Sequence, residues 1–344
     1  MYSGGKKYTH MNVTMRDVAK TAGVSAATVS KVLNESHSIS ESTTQRVRDV
    51  MKELGYQPNA RARSFARKAT KNILFLIDLH INAAYEHPHM FEILAGSAAA
   101  LNSRGYTLMV KPITLEETPS FVIAAASQKF ADGLLLHASV FGKKAARSIE
   151  RTNIPHLVIG QPNIPCNVCW MDTDNALSGV IAARHLMDRG YRRIAMIGGK
   201  PEDMISWHRL HGARTAFAEA GYPVESAMVR QGDSTLKWGG RLTKQLLKAS
   251  PRPDAILCAN NIIAMGCLQA LRDASLAIPK DVAVMTFDSY PFSTITDPAL
   301  TVVDINMFDM GGQAARFILD KIKKPNLQAQ VYTTLPELVV REST

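Results

Sequence analysis

Several features are scarce or missing from this sequence, and each removes a class of protein. Four cysteines among 344 residues cannot staple a disulfide scaffold. Cys166 and Cys169 form a CxxC, yet no second ligand pair stands at finger-like spacing, because Cys258 and Cys267 are nine apart. Cys166 also does not open a helix, as an activated redox thiol would. No run of 18 or more apolar residues is present, so no membrane span is expected. The first twenty residues, MYSGGKKYTHMNVTMRDVAK, lack a hydrophobic signal core, and a cytoplasmic location is the expectation. HExxH, GxSxG and a GxGxxG between strand and helix are all missing. GGK at 198–200 has neither the earlier glycine nor the following Ser/Thr of a phosphate loop. An enzyme is therefore not expected, and the sequence calls for no cofactor and no metal.

What is present is an ordinary globular composition, 46% hydrophobic and 20% charged, with an uneven distribution of charge. Residues 1–71 hold 13 Lys/Arg against 5 Asp/Glu, a net of +8, out of +10 for the whole chain. A basic head on a nearly neutral body points to nucleic acid as the head's partner.

Within that head, TMRDVAKTAGVSAATVSKVLNES places Met15, Val18, Ala19 and Ala22 at helical spacing. Gly23 then interrupts, Ser25 can cap, and Val29, Val32 and Leu33 resume an apolar face. Two helices joined by a short turn containing glycine make a helix-turn-helix. A third helix is expected in SESTTQRVRDVMKELGY, capped by Ser40 and stopped at Gly55. The second helix has the character of a recognition helix. Thr14, Ser25, Thr28, Ser30 and Asn34 can bond phosphates, while Ala26, Ala27 and Lys31 can face base edges.

From residue 72 the texture changes. Runs with the character of buried strands, NILFLIDL, YTLMVKPI, ADGLLLHA, PHLVIGQ, RRIAMIGG, PDAILCAN and DVAVMTFD, alternate with helical stretches, including ALSGVIAARHLMDRG and IIAMGCLQALRDAS. This alternation implies an α/β core of doubly wound parallel sheets. The number of units exceeds one sheet, so two lobes are expected, with a ligand cleft beyond the carboxyl ends of the strands. The expected organisation is a tail at 1–12, the helix-turn-helix head at 13–57, a hinge at 58–71 and a core at 72–344. Lobe 1 takes about 72–171 plus 303–332, and lobe 2 about 172–302 plus 333–344.

TMRDVAKTAGVSAATVSKVLN and ISESTTQRVRDVMKELGYQPNARARS closely resemble the head of LacI/GalR-type bacterial transcription regulators. The resemblance continues through MDTDNALSGVIAARHLMDRGYRRIAMIGG, CANNIIAMGCLQALRDASLAIPKDVAVMTFDS and DPALTVVDINMFDMGGQAA, and so covers nearly the whole chain after the first dozen residues. It implies a periplasmic-sugar-binding-protein-like core that holds a small effector, a carbohydrate or sugar derivative. It also implies a homodimer on near-palindromic operator DNA, acting as a repressor. No heptad tail follows VYTTLPELVVREST, in keeping with a dimer. The alternatives are a regulator of the same fold that answers to a purine or a protein coregulator, and a sugar-binding protein without DNA function.

The resemblance also assigns residues. Effector contacts fall on Arg209 in RLHG, Asn260 in CANN and Asp288 in VMTFDS, with Asp172 or Asp174 near the lobe crossover. An Arg fork and two short acceptors suit vicinal hydroxyls. Where the family often has Asn-Pro-Phe-Phe, this chain has His87-Pro88-His89-Met90 after a longer loop, which puts His89 in the place of a stacking aromatic. Ser234 replaces another aromatic, with Trp207 and Trp238 near in sequence. These departures imply a pocket more polar than usual and an effector that is acidic or highly hydroxylated. In QPNARARSFARKAT, Ala62, Phe65 and Ala66 share one helical face among four cations. By the resemblance this is a hinge helix that enters the minor groove. Tyr56, Asn59, Ala62 and Arg63 are DNA contacts there, and Phe65 stands where the family has a leucine wedge.

Overall fold

The structure, a computed structural model, describes residues 13–33, 38–56, 69–79, 89–328, 330–332 and 335–344. The chain divides into two units, Met1–Thr70 and Lys71–Thr344.

Three helices make up the described part of the first unit: α1 (Met15–Ala22), α2 (Ala26–Leu33) and α3 (Glu41–Glu53). Thr14 and Asp17 close a capping box at the start of α1, and Gly23 ends that helix at φ 63°, a left-handed turn suited to glycine. Ser25 Oγ accepts from Thr28 N at 3.1 Å at the head of α2, and Ser40 caps α3. Val18, Ala19, Ala22, Val29, Val32 and Val47 meet in one small core. The 3.6-residue period of each helix thus turns one stripe inward and leaves the start of α2 outside.

The second unit holds two six-stranded sheets. The first is ordered β11-β5-β4-β3-β1-β2, from β1 (Asn72–Ile77), β2 (Thr107–Pro112), β3 (Gly133–His137), β4 (His156–Ile159), β5 (Trp170–Asp172) and β11 (Gln330–Tyr332), all parallel. The second is ordered β12-β10-β9-β8-β6-β7, from β6 (Ile194–Gly198), β7 (Val229–Gln231), β8 (Ala255–Cys258), β9 (Ala283–Phe287), β10 (Thr301–Asp304) and β12 (Glu337–Val339), with β12 antiparallel to β10. Strand β1 shows why both faces need cover. Ile73, Phe75 and Ile77 enter one core cluster, and Leu74 and Leu76 enter another across the sheet.

Helices α4 (His89–Asn102), α5 (Thr118–Gln128), α6 (Lys143–Thr152) and α12 (Met307–Lys323) cover the first sheet. Helices α7 (Asn175–Asp188), α8 (Met204–Glu219), α9 (Leu236–Leu246) and α10 (Asn261–Asp273) cover the second, and α11 (Pro291–Ile295) follows β9. The chain crosses between lobes after β5, after β10 and between β11 and β12. Because β10 runs to Asp304 within the second sheet, the middle crossing falls beyond the expected 302/303.

The run YTLMVKPI is not a buried strand. β2 lies at the edge of its sheet, and Met109 and Val110 are 42% and 43% exposed. The sequence showed its apolar content but not its place in the strand order. The CxxC lies in the packing of the first lobe, where the Cys169 thiol donates to Gln328 Oε1 at 3.3 Å. Among the described residues no helix is long and apolar enough to cross a membrane.

Candidate nucleic-acid interface and ligand cleft

In the head, Thr14, Ser25, Ala26, Ala27 and Lys31 are exposed, and Thr28 and Ser30 are half-buried. Some of these groups also serve the fold. The Thr14 hydroxyl donates to Asp17 Oδ2 at 2.6 Å, which helps hold the Asp17 carboxyl below its usual range, and Ser25 Oγ lies 2.9 Å from Thr28 Oγ1. Tyr56 packs partly against the head core. Asn34, Asn59, Ala62, Arg63 and Phe65 lie outside the described residues.

In the core unit, Arg209, Asp288, Asn260, Ser234 and His89 line one cavity of about 220 Å³ at the cleft between the lobes. Its centre is an ion pair. Arg209 sits mid-way along α8 and is 2% exposed; its Nη1 and Nη2 donate to Asp288 Oδ2 and Oδ1 at 3.0 and 2.8 Å. Its remaining bonds run to Asn175 Oδ1 (3.2 Å) and the Ala259 carbonyl (3.0 Å), and the guanidinium lies 4.7 Å from the centre of the Phe287 ring. Burial opposes the charge on Arg209, but Asp288 outweighs it and holds the pKa above its ordinary value. The fork expected to grip a ligand is therefore largely engaged by Asp288.

Asp288 reaches this position at φ 69°, a left-handed conformation that follows the end of β9. Asn261 secures the turn, because its Nδ2 donates to the carbonyls of Phe287 and Asp288 at 2.7 and 2.8 Å. Asn260 caps α10 through Oδ1 to Ile263 N (3.0 Å), and its Nδ2 donates to Ser234 Oγ at 3.1 Å. On the first-lobe side, the rings of His89 and His137 lie 6.5 Å apart at 42°. His137 Nδ1 accepts from Ser139 N at 3.2 Å and lies 2.8 Å from Ser139 Oγ.

Two expected contacts lie elsewhere. Asp172 is buried below the cleft. Burial pushes its carboxyl up, while the amides of Gln161 (2.9 Å) and Thr173 (2.7 Å) bond its two oxygens and draw it down. It lies at the first lobe crossing, where Asn175 Nδ2 donates to its Oδ1 at 3.5 Å and Asn175 Oδ1 accepts from Arg209. Trp207 is exposed, with its ring stacked on His211 at 4.7 Å and 7°. One turn of α8 separates the reasons: Ser206 and Arg209 share the cavity face at i, i+3, and Trp207 is rotated away from it. Asp174 caps α7 through Leu177 N, and Trp238 lies beneath Arg241.

Sequence reasoning missed His137, Asp203, Asn261, Tyr290, Phe292 and Met307, all of which line the cavity. Several were within reach of a rule already in use. His137 ends β3, Asn261 follows Asn260 and Tyr290 follows β9, all at carboxyl ends of strands.

Glu92, on the first turn of α4, has its carboxyl raised by burial and then by Asp304 and Asp288 across the cleft. A raised carboxyl costs folding stability above its folded-state pKa and nothing below its unfolded value. Glu92→Gln is thus expected to raise the melting temperature at pH 7 and to match wild type below about pH 4. Parallel melts at the two pH values check it, and a variant less stable at pH 7 would refute it.

A more open groove of about 500 Å³ runs along α9 and α10, lined by Lys237, Arg241, Lys244 and Lys248. It lacks convergent buried polar groups, so the inter-lobe cavity is the better ligand site.

Comparison with known proteins agrees with this arrangement. A model of bacterial regulatory proteins of the lacI family matches residues 14–59, and a periplasmic binding protein-like domain matches residues 183–344. The HTH-type transcriptional repressor PurR of Proteus mirabilis (strain HI4320) is 33% identical over 334 residues, 96% of either chain. The ribose operon repressor of Escherichia coli (strain K12) is 31% identical over 332 residues, 96% of this chain and 99% of the relative. A solved complex of the transcriptional regulator CelR with cellobiose aligns at TM-score 0.73 and 29% identity, covering 96% of this chain and 100% of that one. The lac repressor dimer bound to operator and the anti-inducer ONPF shares the fold at TM-score 0.82 and 24% identity, over 96% and 98% of the two chains.

Proposed function

The chain belongs to the LacI family of bacterial regulatory proteins, DNA-binding transcription regulators and not enzymes, and on that premise we propose that it is a cytoplasmic repressor whose operator affinity is set by a small carbohydrate-like effector in the inter-lobe cavity. The observation that carries the effector reading is the buried Arg209–Asp288 pair at the strand ends of the second lobe, faced by His89 and His137 of the first. Single polar groups converging in a concave site are the mark of small-molecule recognition.

The cavity favours the hydroxylated half of the expectation over the acidic half. Arg209 is matched by Asp288, and Asp203 adds a second carboxylate to the wall. Its volume of about 220 Å³ lies below that of pockets for drug-sized ligands, roughly 300–1,000 Å³, and suits something near one sugar ring. Two printed names support a carbohydrate, since one relative is a ribose operon repressor and one solved neighbour holds cellobiose, whereas other relatives are named PurR and carry no sugar in the name.

A dimer has support in the exposed apolar residues of the first lobe, Met109 and Val110 on the edge strand β2 and Leu115 and Ile123 beyond it. Two heads then meet the half-sites of a near-palindromic operator, with the start of α2 in the major groove. Effector coupling has a physical route. Arg209 is bonded to Asn175, and Asn175 to Asp172, at the first lobe crossing. An effector that biases the lobe angle through this chain shifts operator affinity by no more than its differential affinity for the two states, typically ~1–3 kcal/mol.

The test is operator binding by fluorescence anisotropy across a panel of sugars, sugar acids and purines. A sugar that changes operator affinity is the expected result; a response to purines alone would sink the carbohydrate reading. In the hinge, Phe65→Ala is expected to weaken operator binding by roughly 1–3 kcal/mol, the scale of a lost wedge or stacking contact, and to leave effector binding unchanged. The same anisotropy assay measures it, and unaltered operator affinity removes Phe65 from the interface.

A further inference from the structure

Two buried polar atoms beside the Arg209–Asp288 pair have no partner among the described residues: Asn261 Oδ1 and the Tyr290 hydroxyl. Both side chains line the cavity, at 4% and 5% exposure. An unsatisfied buried polar group costs folding free energy and calls for an explanation. The orientation of the Asn261 amide is fixed, because its Nδ2 spans two carbonyls; the atom left over is an acceptor and asks for a donor.

The charges of the wall agree with a donor. Asp203 and Asp288 line the cavity against the single guanidinium of Arg209, and Asp288 already engages that guanidinium with both oxygens. On the first-lobe side, His137 Nδ1 is taken up by the Ser139 amide and faces no ligand oxyanion as a donor there. An oxyanion would meet a surplus of carboxylate and an acceptor without a hydrogen. An ammonium would meet an unfilled acceptor and an acidic surrounding.

We propose that the cavity recognises a hydroxylated ligand bearing a protonated amine, an amino sugar or amino polyol, with Asn261 Oδ1 and the Tyr290 oxygen as the contacts that read its amine. The proposal rests on the assignment of this cavity to a carbohydrate-like effector and narrows it. The phenol stays protonated at any working pH, raised by its burial and then by Asp288, Glu92 and Asp304, so it can still donate to a ligand hydroxyl while it accepts from the amine.

Calorimetry and thermal shift on the full chain at pH 7 test this with D-glucosamine, D-galactosamine and D-mannosamine, their neutral parent sugars, and the matching uronates. At least one amine is expected to bind about tenfold or more tighter than its neutral parent, with the uronate weakest. Tyr290→Phe is expected to weaken that amine by about tenfold, with no fall in the melting temperature measured without ligand, because its hydroxyl has no partner among the described residues. Neutral sugars or uronates binding as tightly as the amines would overturn the proposal and leave the carbohydrate reading standing. Tyr290→Phe binding the amine as wild type does would also overturn it. If none of the sugars binds, this proposal and the carbohydrate reading fall together.

Discussion

Arg209→Met is expected to cost about 3–5 kcal/mol of core stability and to abolish effector binding, because it strands the Asp288 carboxylate in a buried site. The pair is worth little as an attraction once the cost of taking both charges from water is counted. The asymmetry lies in removing one member. Asp288 would lose two charge-assisted hydrogen bonds, and Ala259 O and Asn175 Oδ1 would each lose a donor. Urea unfolding of the variant measures the cost. The double variant Arg209→Met/Asp288→Leu separates charge from packing: with no carboxylate left behind, it is expected to recover most of the loss. A single-variant cost below about 1 kcal/mol would place the pair among weak surface bridges and contradict its burial.

That pair also marks how far the sequence could be read. Resemblance put Arg209, Asn260 and Asp288 in one cleft, but not the bonds among them. Whether an arginine greets a ligand or a neighbouring aspartate depends on side-chain distances of about 3 Å, and no residue pattern encodes those. Asp172 illustrates the same limit. A carboxylate near the crossover is equally suited to a ligand and to two backbone amides, and here it takes the amides of Gln161 and Thr173. Trp207 lies two residues from Arg209, close in sequence but on another face, because a helix turns about 100° per residue.

The fold was more legible where burial is total. Strands β1, β6 and β8 carry unbroken apolar runs, β9 is interrupted only by Thr286, and in each the whole run is buried or nearly so. β2 has the same texture and an exposed edge position, since hydrophobicity records that a surface is covered by something without saying that it is this chain's own core. Helix α6 escaped notice because half its sequence, KKAARSIERT, is charged, and only Ala145, Ala146, Ser148 and Ile149 turn inward.

The position of Arg209 depends on an approach of helices that one methyl group should disrupt. Gly179 of α7 faces α8 so closely that a Cβ there would lie 1.9 Å from the carbonyl oxygen of Arg209 itself. The obstacle is backbone, so no rotamer change relieves it, and the two helices must separate. Better helix propensity returns up to about 1 kcal/mol for Gly→Ala, against an overpacking cost of about 1–3 kcal/mol. Gly179→Ala is therefore expected to lower stability by about 1–2 kcal/mol net, and to weaken effector binding more than that loss alone suggests, since a displaced Arg209 no longer meets both oxygens of Asp288. Gly190→Ala supplies the contrast. A Cβ at Gly190 meets nothing within 4 Å, so its cost is the left-handed strain at φ 88° alone, about 1–2 kcal/mol. The two variants should thus unfold at similar urea concentrations, and only Gly179→Ala should bind effector poorly. Equal effector affinity in both would mean that the α7–α8 crossing holds the lobe together without aiming its arginine.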